Sequence, residues 1–111
     1  MTSAEGADPR WVRLATAAEL QAAGRMEALA GRRAVLLLWR EEGPAACAAH
    51  CPHAMAPLVD GAIRDGRLHC ARHLASFDLL TGEPDATWRI PPLDIYPART
   101  RDGWVEVRLN A

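Results

Sequence analysis

The chain has 111 residues, half of them apolar, and a net charge of −1 in which every cation is an arginine and no lysine occurs. A chain of this length forms one domain that buries roughly two thirds of its unfolded surface without needing a staple. Its near-neutral balance and scattered arginines exclude the basic stripe that a nucleic-acid or membrane surface requires. The first twenty residues contain no apolar core of signal-peptide length, and the longest apolar run, Ala34 to Trp39, is far too short to span a bilayer. A cytoplasmic location is therefore expected.

In chain order, Met1 to Arg10 is polar and reads as a loosely held terminus. Trp11-Val12-Arg13-Leu14 alternates and predicts a first short strand. Thr16-Ala17-Ala18-Glu19 has capping-box spacing and predicts a short helix, ended early by Gly24. Met26 to Leu29 and Arg33 to Arg40 are the next strands; the second is a continuous apolar run bounded by turn residues, which favours a buried strand. Gly43-Pro44 is expected to turn the chain, and Ala45 to Ala49 to lead as a strand into Cys51. Asp60-Gly61 and Asp65-Gly66 are turn signals, with Arg67-Leu68-His69 as a strand delivering Cys70. Ser76-Phe77-Asp78 predicts another strand and Thr81 to Asp85 a tight turn. Ile90-Pro91-Pro92-Leu93 is excluded from a central strand, since neither proline donates to a ladder. Leu93 to Tyr96 and Trp104 to Leu109 are expected to form a terminal hairpin around Arg101-Asp102-Gly103. Short strands with little helix predict an all-β antiparallel sandwich with a smaller β subdomain inserted in it.

The residues that carry chemistry are Cys51-Pro52-His53 and Cys70-Ala71-Arg72-His73, sixteen residues (54–69) apart. Two thiolates and two imidazoles at short local spacings, joined by a hairpin-like return, make a four-ligand metal site. A single zinc in a Cys₂His₂ site satisfies the same ligand count. The third cysteine, Cys47, makes the count odd and reads as a small buried strand residue. His50 and His69 are each one residue out of phase with a ligand and read as solvated bystanders. Trp11, Trp39 and Trp104 read as core, whereas Trp88 and Arg72 border the site and suit contact with a partner. Asp60, Asp65, Asp78, Glu83 and Asp85 read as turn geometry and at most a mildly acidic face.

The flanks of these ligand pairs are Ala56-Pro57-Leu58-Val59-Asp60-Gly61 and Leu74-Ala75-Ser76-Phe77-Asp78-Leu79-Leu80-Thr81-Gly82-Glu83-Pro84. With them the chain resembles the Rieske ferredoxin family, whose pattern Cys-Pro-His, Leu-x-x-Gly, Cys-x-x-His, Phe-Asp and Thr-Gly-Glu-Pro is met almost position for position from about Trp11 to Leu109. It departs at Leu74 and Ala75, where the family often has Gly, and this leans towards the ferredoxins of toluene-type diiron monooxygenases. The resemblance implies a single Rieske domain over 1–111, with a cluster-binding part at about 45–80. It also implies one [2Fe-2S] cluster per chain, Cys51 and Cys70 on the buried iron and His53 and His73 on the outer one. Pro91 and Pro92 would form a loop over the cluster. High-potential members carry an extra cysteine pair and hydroxyl donors at positions matched here by Ala56, Arg72, Ala75 and Phe77, so a low potential is implied.

By the same resemblance, the chain is a carrier of single electrons from a flavin-dependent reductase to a terminal oxygenase, either a diiron monooxygenase or an aromatic-ring dioxygenase. It would be monomeric and not itself an enzyme. The only histidines beyond the ligand pairs are His50 and His69, so a mononuclear oxygenase iron is expected on another polypeptide. The alternatives are a small Rieske subunit of a nitrite-reductase-like complex, and a redox sensor or structural metal module.

Overall fold

The computed structural model describes residues 11–52, 56–70, 75–85 and 90–109. Strand β1 (Trp11–Thr16) runs into helix α1 (Ala17–Ala23) through the predicted capping box. The Thr16 hydroxyl accepts from the Glu19 amide at 3.1 Å, and a Glu19 carboxylate oxygen accepts from the Thr16 amide at 2.9 Å. Gly24 closes the helix, its N–H donating to the Leu20 carbonyl at 2.8 Å, and Leu20 is the helix's buried anchor.

Strands β2 (Arg25–Ala30), β3 (Arg33–Arg40) and β4 (Gly43–Ala48) form an antiparallel meander, completed by β8 (Ile95–Tyr96) on the far side of β4. The turn between β3 and β4 is Glu41–Glu42, not the expected Gly43-Pro44, which are already paired with Arg40 and Trp39. Proline is tolerated there because β8 pairs only with Ala46 and Cys47, so no ladder asks Pro44 for a donor on that side.

The sequence also misplaces the terminal hairpin. Leu93–Tyr96 is not its first arm: Ile95 and Tyr96 pair with β4, and the arms are β9 (Ala98–Arg101) and β10 (Trp104–Arg108). Pro97 is the corner between the two sheets. It has no N–H with which to continue the β8 ladder, while its carbonyl accepts from Arg108 at 3.0 Å and starts the pairing with β10. Strands β1, β10 and β9 form this second sheet.

Between β4 and β8 the chain builds a third small sheet of β5 (Ile63–Arg64), β6 (Arg67–His69) and β7 (Ser76–Asp78). Asp65 and Gly66, with φ of 54° and 74°, make the two-residue turn that suits right-twisted hairpins. The turn expected at 81–85 comes earlier, at 79–81, and Pro84 is back in register as a bridge to Phe77. Among the described residues all the pairing is antiparallel, and the fold is all-β, with the third sheet an insertion in the other two.

Strand β3 explains its own apolar run, because both of its faces are buried. Val35 and Leu37 pack with Leu20, Tyr96, Val105 and Val107, whereas Leu36 and Leu38 pack with Cys47, Leu58, Leu68 and Phe77. Each of these four β3 side chains removes enough area from water to contribute about 1.5–3 kcal/mol.

Trp39 packs against the core as expected, but Trp11 and Trp104 do not. Trp11 and Trp39 are only half-buried and Trp104 is 37% exposed. Trp11 and Trp104 carry arginines instead: the Arg99 guanidinium lies 3.9 Å from the Trp11 ring centroid and that of Arg13 lies 5.7 Å from Trp104. Between them, Glu106 accepts from Arg13 at 3.0 Å and from Arg99 at 2.8 Å.

Candidate metal centre

The site begins where β4 ends. Ala49 holds the outgoing and returning chain together, donating to the Ala34 carbonyl at 3.2 Å and accepting from Leu58 at 2.9 Å. His50 forms a bridge with Pro57, and the Cys51 amide then donates to the Ala56 carbonyl at 2.7 Å. The second half repeats this pattern. The His69 amide donates to Ala62 at 2.8 Å, and the Cys70 amide to Ala75 at 2.7 Å. Each cysteine thus sits at the base of a loop closed by a bond from its own N–H to the carbonyl five residues on.

Both thiols are fully buried, in the same apolar cluster as Ala56, Leu58, Leu68, Ala75 and Phe77. Sequence places His53 and His73 inside the two loops; these two, together with Arg72, Leu74 and Trp88, lie outside the described residues. None of the three cysteines is in a disulfide. Cys47 belongs to the same buried cluster, where burial pushes its thiol up to about 12, so it is a neutral core residue at physiological pH. His50 and His69 are half-buried, a correction to their expected solvation; His69 Nδ1 lies 3.5 Å from Arg64 Nη2.

The motif residues around the loops have clear structural duties. A side chain on Gly61 would collide with the His69 carbonyl, so glycine lets the two halves of the site approach. Gly82, at φ 81°, lies against the Leu93 backbone and accepts from the Leu93 amide at 2.8 Å, tying the segment after β7 to the one that follows Pro91-Pro92. Asp78 accepts from the amides of Leu80 at 2.7 Å and Thr81 at 3.3 Å, the turn geometry expected of it.

Two residues escape sequence reasoning. Arg25 on β2 donates to the carbonyls of Val59 at 2.9 Å and Gly61 at 2.5 Å, clamping the insertion to the main sheet. Arg67 donates to Ser76 Oγ at 2.9 Å and to the carbonyls of Ser76 at 3.1 Å and Glu83 at 3.2 Å. Their targets lie on other segments, and nothing local marks either arginine.

A family model for the Rieske [2Fe-2S] domain matches residues 10–97. The chain belongs to that family. It is 37% identical over 60 residues to the anthranilate 1,2-dioxygenase ferredoxin subunit of Burkholderia cepacia, a match covering 54% of this chain and 56% of that one. The chain thus spans little more than half the length of that relative. Among solved structures, the ferredoxin of carbazole 1,9a-dioxygenase from Nocardioides aromaticivorans IC177 superposes with a TM-score of 0.79 at 24% identity, covering 90% of this chain and 98% of that one. The Sphingomonas yanoikuyae B1 ferredoxin gives 0.76 at 25% identity, covering 89% and 98%.

The group this family implies is a [2Fe-2S] cluster, and the donor chemistry fits its sulfur half. Cys51 and Cys70 bring soft sulfur donors to equivalent loop positions, withdrawn from water in one apolar cluster, and would hold the group's sulfur-bound iron.

Proposed function

We propose that this chain is a Rieske ferredoxin that takes single electrons from a flavin-dependent reductase and passes them to a terminal oxygenase, as a soluble, monomeric, cytoplasmic carrier. Among the described residues, no helix is long and apolar enough to cross a membrane. Residues 1–111 act as one domain in this reading, with the cluster-binding part at about 45–80. The observation that carries it is the pair of buried thiols on two loops closed by the same hydrogen bond. Cys51 and Cys70 hold the inner iron, and His53 and His73 the outer one. When bound, the cluster supplies a one-electron couple.

The chain's own residues set the surroundings of that couple. Ala56, Ala75 and Phe77 are buried and offer no side-chain donor to sulfur, so the negative charge of the reduced state gains no hydroxyl bond from them. The potential is accordingly placed near the low end of the Rieske window, about −150 mV. The names of the oxygenase ferredoxins it resembles favour an aromatic-ring dioxygenase as the electron acceptor. That reverses the lean towards diiron monooxygenases drawn from Leu74.

Anaerobically purified protein tests the reading. Two irons per chain are expected, with two nitrogen couplings in the pulsed EPR spectrum of the dithionite-reduced protein and one in His73→Cys. A colourless protein with a single zinc would overturn it.

A further inference from the structure

Beside the first cysteine loop lies a groove of about 560 Å³. Its burial is graded: Ala49 and Tyr96 are buried, Ala34, Ala48 and Pro52 half-buried, and Arg32, Arg33 and Asp94 exposed. Small side chains on β3 and at the end of β4 leave the hollow, and charged ones ring it. Pro52, next in the chain after Cys51, lines one part and Pro92 another.

The rim departs from the charge of the molecule. The whole chain carries −1, yet two guanidinium groups face this groove against a single carboxylate, Asp94. Arg33 is held in place, its guanidinium 6.0 Å from the Tyr96 ring centroid and Nη1 3.4 Å from the Leu109 carbonyl. Among the described residues, the ion pairs involve Arg13, Arg40 and Arg99, and neither Arg32 nor Arg33.

We infer that this groove seats an acidic segment of a protein electron-transfer partner, with carboxylates on Arg32 and Arg33 and an apolar side chain on the alanine floor between Pro52 and Pro92. The inference rests on the carrier reading above and locates the contact. Three features favour that occupant. Arginine offers carboxylates a planar fork of donors, more specific than a point charge. Proline walls lose little conformational freedom on contact, so ordering costs are small. Pro52 directly follows Cys51 in the chain, so a segment seated against it borders the first cysteine loop.

The probe is a fluorescein-labelled peptide, acetyl-Asp-Glu-Leu-Asp-Glu amide, titrated by anisotropy against the purified holoprotein at low salt. Saturable binding is expected that weakens as salt rises. The double variant Arg32→Glu/Arg33→Glu is expected to weaken it about tenfold or more, and Arg32→Lys/Arg33→Lys only about threefold. Arg32→Glu alone, at an exposed turn, keeps the test sound should the double variant fold poorly; a loss of about threefold is expected. Equal binding by wild type and by the Glu variants, or equal binding of a Lys-for-acid peptide, overturns the assignment. The visible spectrum of the same samples separates the two ideas. A missing two-iron spectrum removes the carrier reading, whereas a normal spectrum with arginine-independent binding removes the groove alone.

Discussion

The two hydrophobic clusters that share β3 are built in opposite ways. On one face, Val35 and Leu37 meet Val105, Val107 and Leu20, supplied by strands of five to eight residues and one capped helix. On the other, Leu36 and Leu38 meet Cys47 of β4 and otherwise residues from strands of two or three residues and from loops, and the cluster includes three cysteines. The first face is held by regular ladders. The second leans on side-chain-to-backbone bonds from Arg25, Arg67 and Asp78, and in the proposed reading on a cluster held by its two loop thiols. Difference in construction implies difference in dependence: the strand-rich side folds on its own contacts, and the insertion is completed by what it binds.

Stripping iron with a chelator breaks or sharpens this contrast most strongly. Amides between Ala56 and Gly82 are expected to lose protection from hydrogen exchange by about a hundredfold or more, while those of β1, β3 and β10 change by about threefold or less. Uniform loss across both sides would erase the distinction. Gly82→Ala comes next, because it combines a left-handed backbone with a collision against Leu93. It is expected to cost about 3 kcal/mol and to lower iron content, whereas Gly66→Ala, at similar φ but in open space, costs about 1 kcal/mol. Denaturant titration with iron analysis checks both.

Glu106 tests the opposite sheet. Burial alone would raise its carboxyl, but hydrogen bonds and charge from Arg99 and Arg13 more than offset that and hold it below 4.5. A depressed folded value contributes stability that is complete above 4.5 and is lost as pH falls through the lower folded one. Glu106→Gln is therefore expected to cost about 2 kcal/mol at neutral pH. It should also flatten the acid limb of the stability profile and leave the visible spectrum unchanged. The smallest effect belongs to Cys47→Ala. About 1 kcal/mol is expected from the small cavity, with iron content retained, because this thiol packs and does not ligate.

Much of this was legible wherever the cause is local. The capping box at Thr16 and Glu19 and the Asp65-Gly66 turn each depend on neighbours within a few residues, and β3 shows its two buried faces in an unbroken apolar run of its own. The cysteine positions were equally readable, since each loop closes over five residues and its flanks repeat a known pattern. Long-range choices were not. Whether Leu93–Tyr96 joins β10 or β4 depends on the corner at Pro97 and on a free edge of β4. The arginine over the Trp104 ring comes from β1, and the clamp of Arg25 closes on carbonyls more than thirty residues away.

The stem of the insertion carries a last consequence. It leaves the main sheet at the end of β4 and re-enters at β8, and these strands pair directly, Ala46 with Tyr96 and Cys47 with Ile95. Start and finish are therefore neighbours, so the excursion between them can lengthen or shorten at little entropic cost without disturbing the register below. The redox lobe is in that sense a cartridge: a host sheet with one opened hairpin has the socket to receive it.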